Sequence, residues 1–210
     1  MSEVFDTVLS SLEYILILVI LYLYSKHNII QGFKRQFRIL YWYFIVSFCI
    51  LITISLLHYL KVGNLIVSHF YFITRFILLS LFYKSLFSFR QKQFVNTLLV
   101  ATPLIIGIHF YYNPDKIWTF NVLEIFLTSI PLVIYSIIHL YNSLTRKKVF
   151  LYVNVAILMY ISSSTLIFIL GDILTSMTRT MVLDIWMINK VLYLGFLVLF
   201  IIEYIYAKKR

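Results

Sequence analysis

The chain has 210 residues, only 12% of them charged, and a mean hydropathy of +0.94. A soluble domain keeps about 25% charged residues, so this composition excludes one and is suited to lipid. The net charge of +10 raises nucleic-acid binding, which the placement of the charges excludes below, and Cys49, the single cysteine, excludes an internal disulfide or a cysteine-based metal site.

Glu3 and Asp6 precede the first apolar run without any Lys or Arg, the reverse of a secretory leader, so the first helix is expected in the mature protein. Seven apolar runs follow: Val8–Tyr24, Ile39–Leu60, Asn64–Tyr83, Phe94–Tyr111, Ile117–Tyr141, Val149–Leu170 and Asp184–Tyr206. A helix of about 20 residues crosses a hydrocarbon layer of about 30 Å, and these runs are of that order. Five Gly and three Pro leave little for long loops. The prediction is an all-α fold, a single domain over residues 1–210 built as a bundle of seven transmembrane helices. Cys49 lies within the second run and is expected to be a small core residue.

The connections set the orientation. Of the 18 Lys and Arg, 13 fall after runs one, three, five and seven, three fall in the other connections, and Arg75 and Lys190 lie within runs. The positive-inside rule then predicts an outside N-terminus and a cytoplasmic C-terminus. The basic balance becomes a matter of topology and contact with anionic headgroups, with no nucleic-acid partner. A bias toward Ile, Phe, Tyr, Lys and Asn over Ala and Gly fits an AT-rich bacterial genome, and hence a bacterial inner membrane. Tyr22, Tyr24, Tyr41, Trp42, Tyr43, Tyr111, Tyr112, Trp118, Trp186, Tyr204 and Tyr206 cluster near run ends and read as interfacial anchors. With so few small residues, helices are expected to interdigitate through bulky side chains.

Arg75 sits at the middle of the third run, about ten residues from either end, too deep to snorkel out. An unpaired arginine there costs roughly 2.5–3.5 kcal/mol on insertion scales, so it is expected to face other helices. The remaining polar residues inside the runs are one-sided: Glu13, His58, His69, His109, Glu124, Asp184 and Lys190 fall in the predicted outer half, and only His139 and Glu203 lie near the cytoplasmic ends. A polar cavity opening outward is therefore expected. Helical spacing places Asn121, Glu124, Thr128 and Pro131 on one face of helix 5, Trp186, Lys190 and Tyr193 on one face of helix 7, and Ser68, Tyr71 and Arg75 on one face of helix 3. Glu124 and Glu13 are the expected counter-charges of Arg75 and Lys190. The candidate ligand site or internal ion-pair network is thus Arg75, Lys190, Glu124, Glu13, Asp184, Tyr71, His69, Asn121 and Trp186. Internal ion pairs that fix helix register are the first reading of this set, a ligand or transport site the second, and proton transfer the third.

No metal site is expected, because the histidines are scattered without an HxxxH or HxH pair. No catalytic residues or cofactor are expected either: GxSxG, HExxH and glycine-rich phosphate loops are missing, and Ser162, Ser163 and Ser164 are expected to bond back to their own helix. A retinal protein would need a carboxylate on helix 3 and an Asp one turn before its lysine, where this chain has Arg75 and Trp186.

Residues 71–76 (YFITRF) with 79–84 (LSLFYK), residues 159–162 (MYIS) leading to 168–171 (FILG), and residues 185–189 (IWMIN) resemble a group of uncharacterised seven-helix integral membrane proteins of Bacteroidota. The chain departs from that group at Arg75, a position more often acidic there. The resemblance implies a stand-alone sensor module, such proteins often being encoded beside histidine kinases that lack membrane segments. The expected function is a non-enzymatic multi-pass sensor or accessory subunit, in contact with the lipid bilayer and with a protein partner, either a membrane complex or a cytoplasmic kinase. A small-solute transporter using the polar outer half is the alternative. A lipid-modifying membrane enzyme, which would need Glu13, Glu124 and Asp184 brought together, is the second alternative.

Overall fold

The computed structural model describes residues 2–26, 33–119, 121–145, 149–169 and 179–209, with their side chains except those of 2–5 and 179–184. Among the described residues there are seven α-helices: α1 (Ser2–Ser25), α2 (Lys34–Tyr59), α3 (Leu65–Leu86), α4 (Phe89–Tyr112), α5 (Val122–Thr145), α6 (Leu151–Ile169) and α7 (Arg179–Lys209). All seven are long and apolar enough to cross a bilayer. Their outer faces carry exposed aliphatic residues such as Ile15, Leu18, Ile52, Val100, Leu104, Ile137 and Val198, an apolar surface that fits a multi-pass membrane protein.

The starts of α1, α2, α4, α5 and α7 differ from those of the apolar runs by five or six residues, and for α5 and α4 the local reason is visible. α5 begins at Val122 because Pro114–Ile117 forms a 3-10 turn, with a proline where a missing N–H does no harm. α4 begins at Phe89 through a polar first turn that hydropathy does not register. There Gln91 Oε1 accepts a bond from the Ser88 backbone N at 3.1 Å, half of a capping box.

Cross-helix contacts fix the directions. His69–Glu124, Arg75–Ser129 and Tyr83–Ser136 step down α3 and α5 in the same sense, so these two helices run parallel. Tyr152–Glu203, Tyr160–Phe196 and Phe168–Trp186 step in opposite senses, so α6 and α7 are antiparallel. Lys190–Asp6 and Tyr24–Phe200 make α1 and α7 parallel. The C-terminal ends of α1, α3, α5 and α7 therefore gather at one end, with Lys34, Lys84, Arg90 and Lys208. We call it the basic end.

Six of the helices close a ring in the order α1, α2, α3, α5, α6, α7 and back to α1, while α4 lies outside against α3 and α5. Towards the basic end the centre of the ring is filled by large rings. Tyr24 meets Phe37 edge-on at 5.1 Å, Phe82 meets Phe150 at 5.3 Å, and Phe200 meets Phe44 at 4.9 Å and Phe196 at 4.6 Å. Edge-to-face pairs of this kind add to the packing of bulky side chains. Phe150 enters the cluster with a left-handed backbone (φ 54), a conformation costly for a bulky residue and held by the burial of its ring.

Polar groups in this half are bonded across helices. The Tyr83 hydroxyl contacts Ser136 Oγ at 2.7 Å and donates to Asn154 Oδ1 at 2.8 Å, while Asn154 Nδ2 donates to the Ser136 carbonyl at 3.1 Å. The buried Glu203 carboxylate accepts from the Tyr152 N–H in the first turn of α6 at 2.9 Å, where the helix dipole favours negative charge. His139 Nε2 donates to the Val149 carbonyl at 2.9 Å across the α5–α6 connection.

Two expectations are corrected here. Tyr24, Tyr43 and Tyr204 are buried core residues, not interfacial anchors, because the ring needs bulk at its centre. Tyr22, Trp42, Tyr111, Tyr112, Trp118 and Tyr206 are exposed. Cys49 lies exposed on the outer face of α2 and not in the core. Phe200→Ala, at the centre of the aromatic cluster, is expected to lose about 3 kcal/mol in reversible unfolding from mixed micelles. Phe89→Ala, exposed at the start of α4, is expected to change stability by less than about 0.5 kcal/mol in the same assay.

Candidate functional site

At the level where the aromatic filling stops, towards the end opposite the basic one, the ring encloses a partly open cavity of about 520 Å³. Its walls come from five helices: Glu13 of α1; Ser47, Ile50, Leu51 and Ile54 of α2; Leu65, Ser68, Tyr71 and Phe72 of α3; Tyr160 and Phe168 of α6; and Trp186, Asn189, Lys190 and Tyr193 of α7. The size is that of a small-molecule pocket. Trp186, Lys190 and Tyr193 share the cavity-facing side of α7, as their spacing predicts, and Ser68 and Tyr71 share that of α3.

Arg75 lies below the cavity, with 2% of its surface exposed. Helical side chains lean toward the helix N-terminus, which here means toward the cavity. The guanidinium accordingly folds back along α3 and rests over the rings of Tyr71 and Phe72, 5.2 and 5.1 Å from their centres. Its Nη2 donates to Ser129 Oγ of α5 at 2.9 Å, while Nε and Nη1 have no hydrogen-bond partner among the described residues. Tyr43 and Tyr160 are near enough to feel its charge. Cation–π contact and one hydroxyl thus do the work expected of a carboxylate.

The expected counter-charges are placed elsewhere. Glu124 Oε2 is in close contact with His69 Nδ1, and His69 Nε2 faces the Ile117 carbonyl at 3.1 Å, so the pair ties α3 to α5 and to the 3-10 turn. Two acceptors on two ring nitrogens is an arrangement that an imidazolium satisfies with both N–H groups. Asn121 caps α5, its Oδ1 facing the Glu124 N–H at 3.4 Å. Lys190 donates to Asp6 at 2.5 Å and to Ser10 at 2.9 Å. Glu13, with 7% of its surface exposed, lies within electrostatic reach of Lys190 and Asp6 but has no hydrogen-bond partner among the described residues. The Asp184 side chain lies outside the described residues.

The candidate residues therefore divide. Glu13, Tyr71, Trp186 and Lys190 line the cavity, Arg75 underlies it, and Glu124, His69 and Asn121 form a separate latch on the far side of α3. The polar stripe of α5 is buried, as its spacing predicts, but against α3 and α6 and outside the cavity wall. Asp6 and Ser10 were missed as partners of Lys190, although Asp6, Ser10 and Glu13 fall at i, i+4 and i+7 on one face of α1. Ser129 was missed because it lies off the α5 stripe. Ser162 bonds its own helix at the Leu158 carbonyl, 2.6 Å away, whereas the Ser164 hydroxyl is buried without a partner among the described residues.

Comparison with protein families, with characterised proteins and with solved structures gives no match to this chain.

A double-mutant cycle is expected to give a coupling of about 0.5 kcal/mol or more between His69 and Glu124 and none between Arg75 and Glu124. Swapping the charges with Arg75→Glu and Glu124→Arg is expected to give no rescue over either single change in micellar unfolding. Ser129→Ala, which removes the guanidinium's hydroxyl partner, is expected to cost about 1–3 kcal/mol. Arg75→Met, which removes the buried charge with similar volume, is expected to be neutral or stabilising in the same assay.

Proposed function

We propose that this chain is a non-enzymatic receptor module of a bacterial inner membrane, with its N-terminus outside and its C-terminus in the cytoplasm, acting through a protein partner. The orientation rests on the 13 of 18 basic residues that fall in alternate connections and at the C-terminal end. On that orientation the cavity faces outward. The observation that carries the receptor reading is the contrast along the ring axis: a cavity in one half whose mostly apolar wall carries Glu13, Ser68, Asn189 and Lys190, and a centre filled by fully buried Phe44, Phe76, Phe82, Phe196 and Phe200 in the other. A solute can lodge in such a site without a path onward. The same contrast disfavours the small-solute transporter. The lipid-modifying enzyme is disfavoured because Glu13 stands in the cavity while Glu124 is engaged by His69 behind it.

Signalling would run through contacts already in place. A ligand seated on Tyr71 and Phe72 alters the bed on which Arg75 rests, and Arg75 is bonded to Ser129 of α5. α5 is joined to α6 through Asn154 and, at the basic end, through His139. A ligand that prefers one packing of these helices biases the ends offered to a partner. The resemblance to Bacteroidota membrane proteins encoded beside histidine kinases makes such a kinase the partner of first choice.

Gentle extraction in mild detergent followed by mass spectrometry of co-purifying chains is expected to recover a signalling protein in near-stoichiometric amount. A solitary monomer that moves solute across proteoliposomes would overturn the reading in favour of transport.

A further inference from the structure

Glu13 is an anomaly in the cavity wall. It is a carboxylate with 93% of its surface hidden, facing the partly open cavity, with no hydrogen-bond partner among the described residues. Asn189 adds a second acceptor to the same wall, its Oδ1 also without a partner. The Asn189 oxygen is a buried acceptor without a partner and the Glu13 carboxylate opens on the cavity, so a ligand that brings hydrogen-bond donors would meet both.

The charges around the cavity sharpen what that ligand is. Lys190 is the cation nearest Glu13, but its ammonium is engaged by Asp6 and Ser10 on the α1 side. Arg75 is screened from the cavity by the rings of Tyr71 and Phe72 and turns one N–H to α5. Glu13 is thus the charge in this wall that no neighbour neutralises by direct contact. Facing it are the aromatic side chains of Tyr71, Tyr160, Tyr193 and Trp186. A carboxylate set among aromatic faces is a setting for an organic ammonium group, because the rings attract cations and the carboxylate accepts charge-assisted hydrogen bonds from N–H donors.

We infer that the cavity binds a protonated amine carried on an apolar body, with the ammonium group on Glu13 and Asn189 and the body against the aromatic wall. This rests on the reading of the cavity as a receptor site and names its ligand class. The same chemistry is offered by a free alkyl or arylalkyl amine and by the headgroup of an aminophospholipid.

The test uses the full chain carrying Trp42→Phe and Trp118→Phe, which leaves Trp186 in the cavity wall as the sole indole. The protein is placed in phosphatidylglycerol nanodiscs and titrated at neutral pH with hexylamine, hexanol and hexanoate. The expected result is a saturable change of Trp186 emission with hexylamine alone, weakened by about tenfold or more in Glu13→Gln, since a charge-assisted bond is lost. Nanodiscs that include phosphatidylethanolamine separate the two sources: a raised hexylamine midpoint assigns the site to the lipid headgroup, and an unchanged one to a free amine. Hexanoate or hexanol binding as tightly as hexylamine, or an unchanged midpoint in a folded Glu13→Gln, would overturn the amine assignment while leaving a receptor cavity. No saturable response to any of the three would overturn both. The selectivity among the three compounds is read on the chain with Glu13 intact, so it stands even where Glu13→Gln does not fold.

Discussion

A guanidinium placed at the middle of a helix long and apolar enough to cross a membrane has to find shelter inside the bundle, and the way α3 provides it governs how the other helices are used. Arg75 is sheltered by two rings one turn back on its own helix and by one hydroxyl from α5. An ion pair in the interior must repay the desolvation of two charges, and an aromatic bed avoids the second. With no carboxylate drawn to Arg75, Glu124 is free to latch α3 to α5 through His69, and Glu13 is left in the cavity wall. α3 thereby carries both the floor of the cavity and the joints to α5.

The second determinant is bulk. The ring of six helices is too wide to close by backbone approach. The three glycines among the described residues, Gly63, Gly107 and Gly195, have open space where a side chain would project, so none serves as a close-packing notch. Large aromatic side chains fill the gap instead, and the cavity begins where they give out. Packing density and cavity position are thus one feature, set by where Phe and Tyr fall along the inward faces. Polar joints such as Tyr83–Ser136–Asn154 and Glu203–Tyr152 then fix the register of helices whose apolar surfaces alone would slide.

Much of this was legible in the sequence. Seven runs of sufficient length appear as seven helices, and the inward faces of α3, α5 and α7 follow from helical spacing. The pairing of charges was not legible, because spacing gives the face a residue occupies but not the neighbour that meets it. Glu124 and Arg75 lie on helices that touch, yet α5 presents Glu124 one turn nearer the opposite end, at the level of His69. Aromatic residues near helix ends were misread for a related reason. An interfacial tyrosine and a core tyrosine have the same position in the chain, and only the closure of the ring buries Tyr24 and Tyr204 while leaving Tyr22 and Tyr206 outside. α4 shows the limit of hydropathy: like the others it is long and apolar enough to cross a membrane, but it stands outside the ring.

The most direct measurement is side-chain accessibility along α3 in membranes of known sidedness. Cys49 is replaced by alanine so that the introduced thiol is the only one, and single cysteines are introduced at Ser68, in the cavity wall, and Ser80, fully buried below it. The account predicts that a membrane-impermeant maleimide added outside the cell modifies Ser68→Cys, and that Ser80→Cys resists it from both sides. Labelling of Ser80→Cys, or of Ser68→Cys from the cytoplasmic face alone, would contradict an outward cavity above a closed aromatic core.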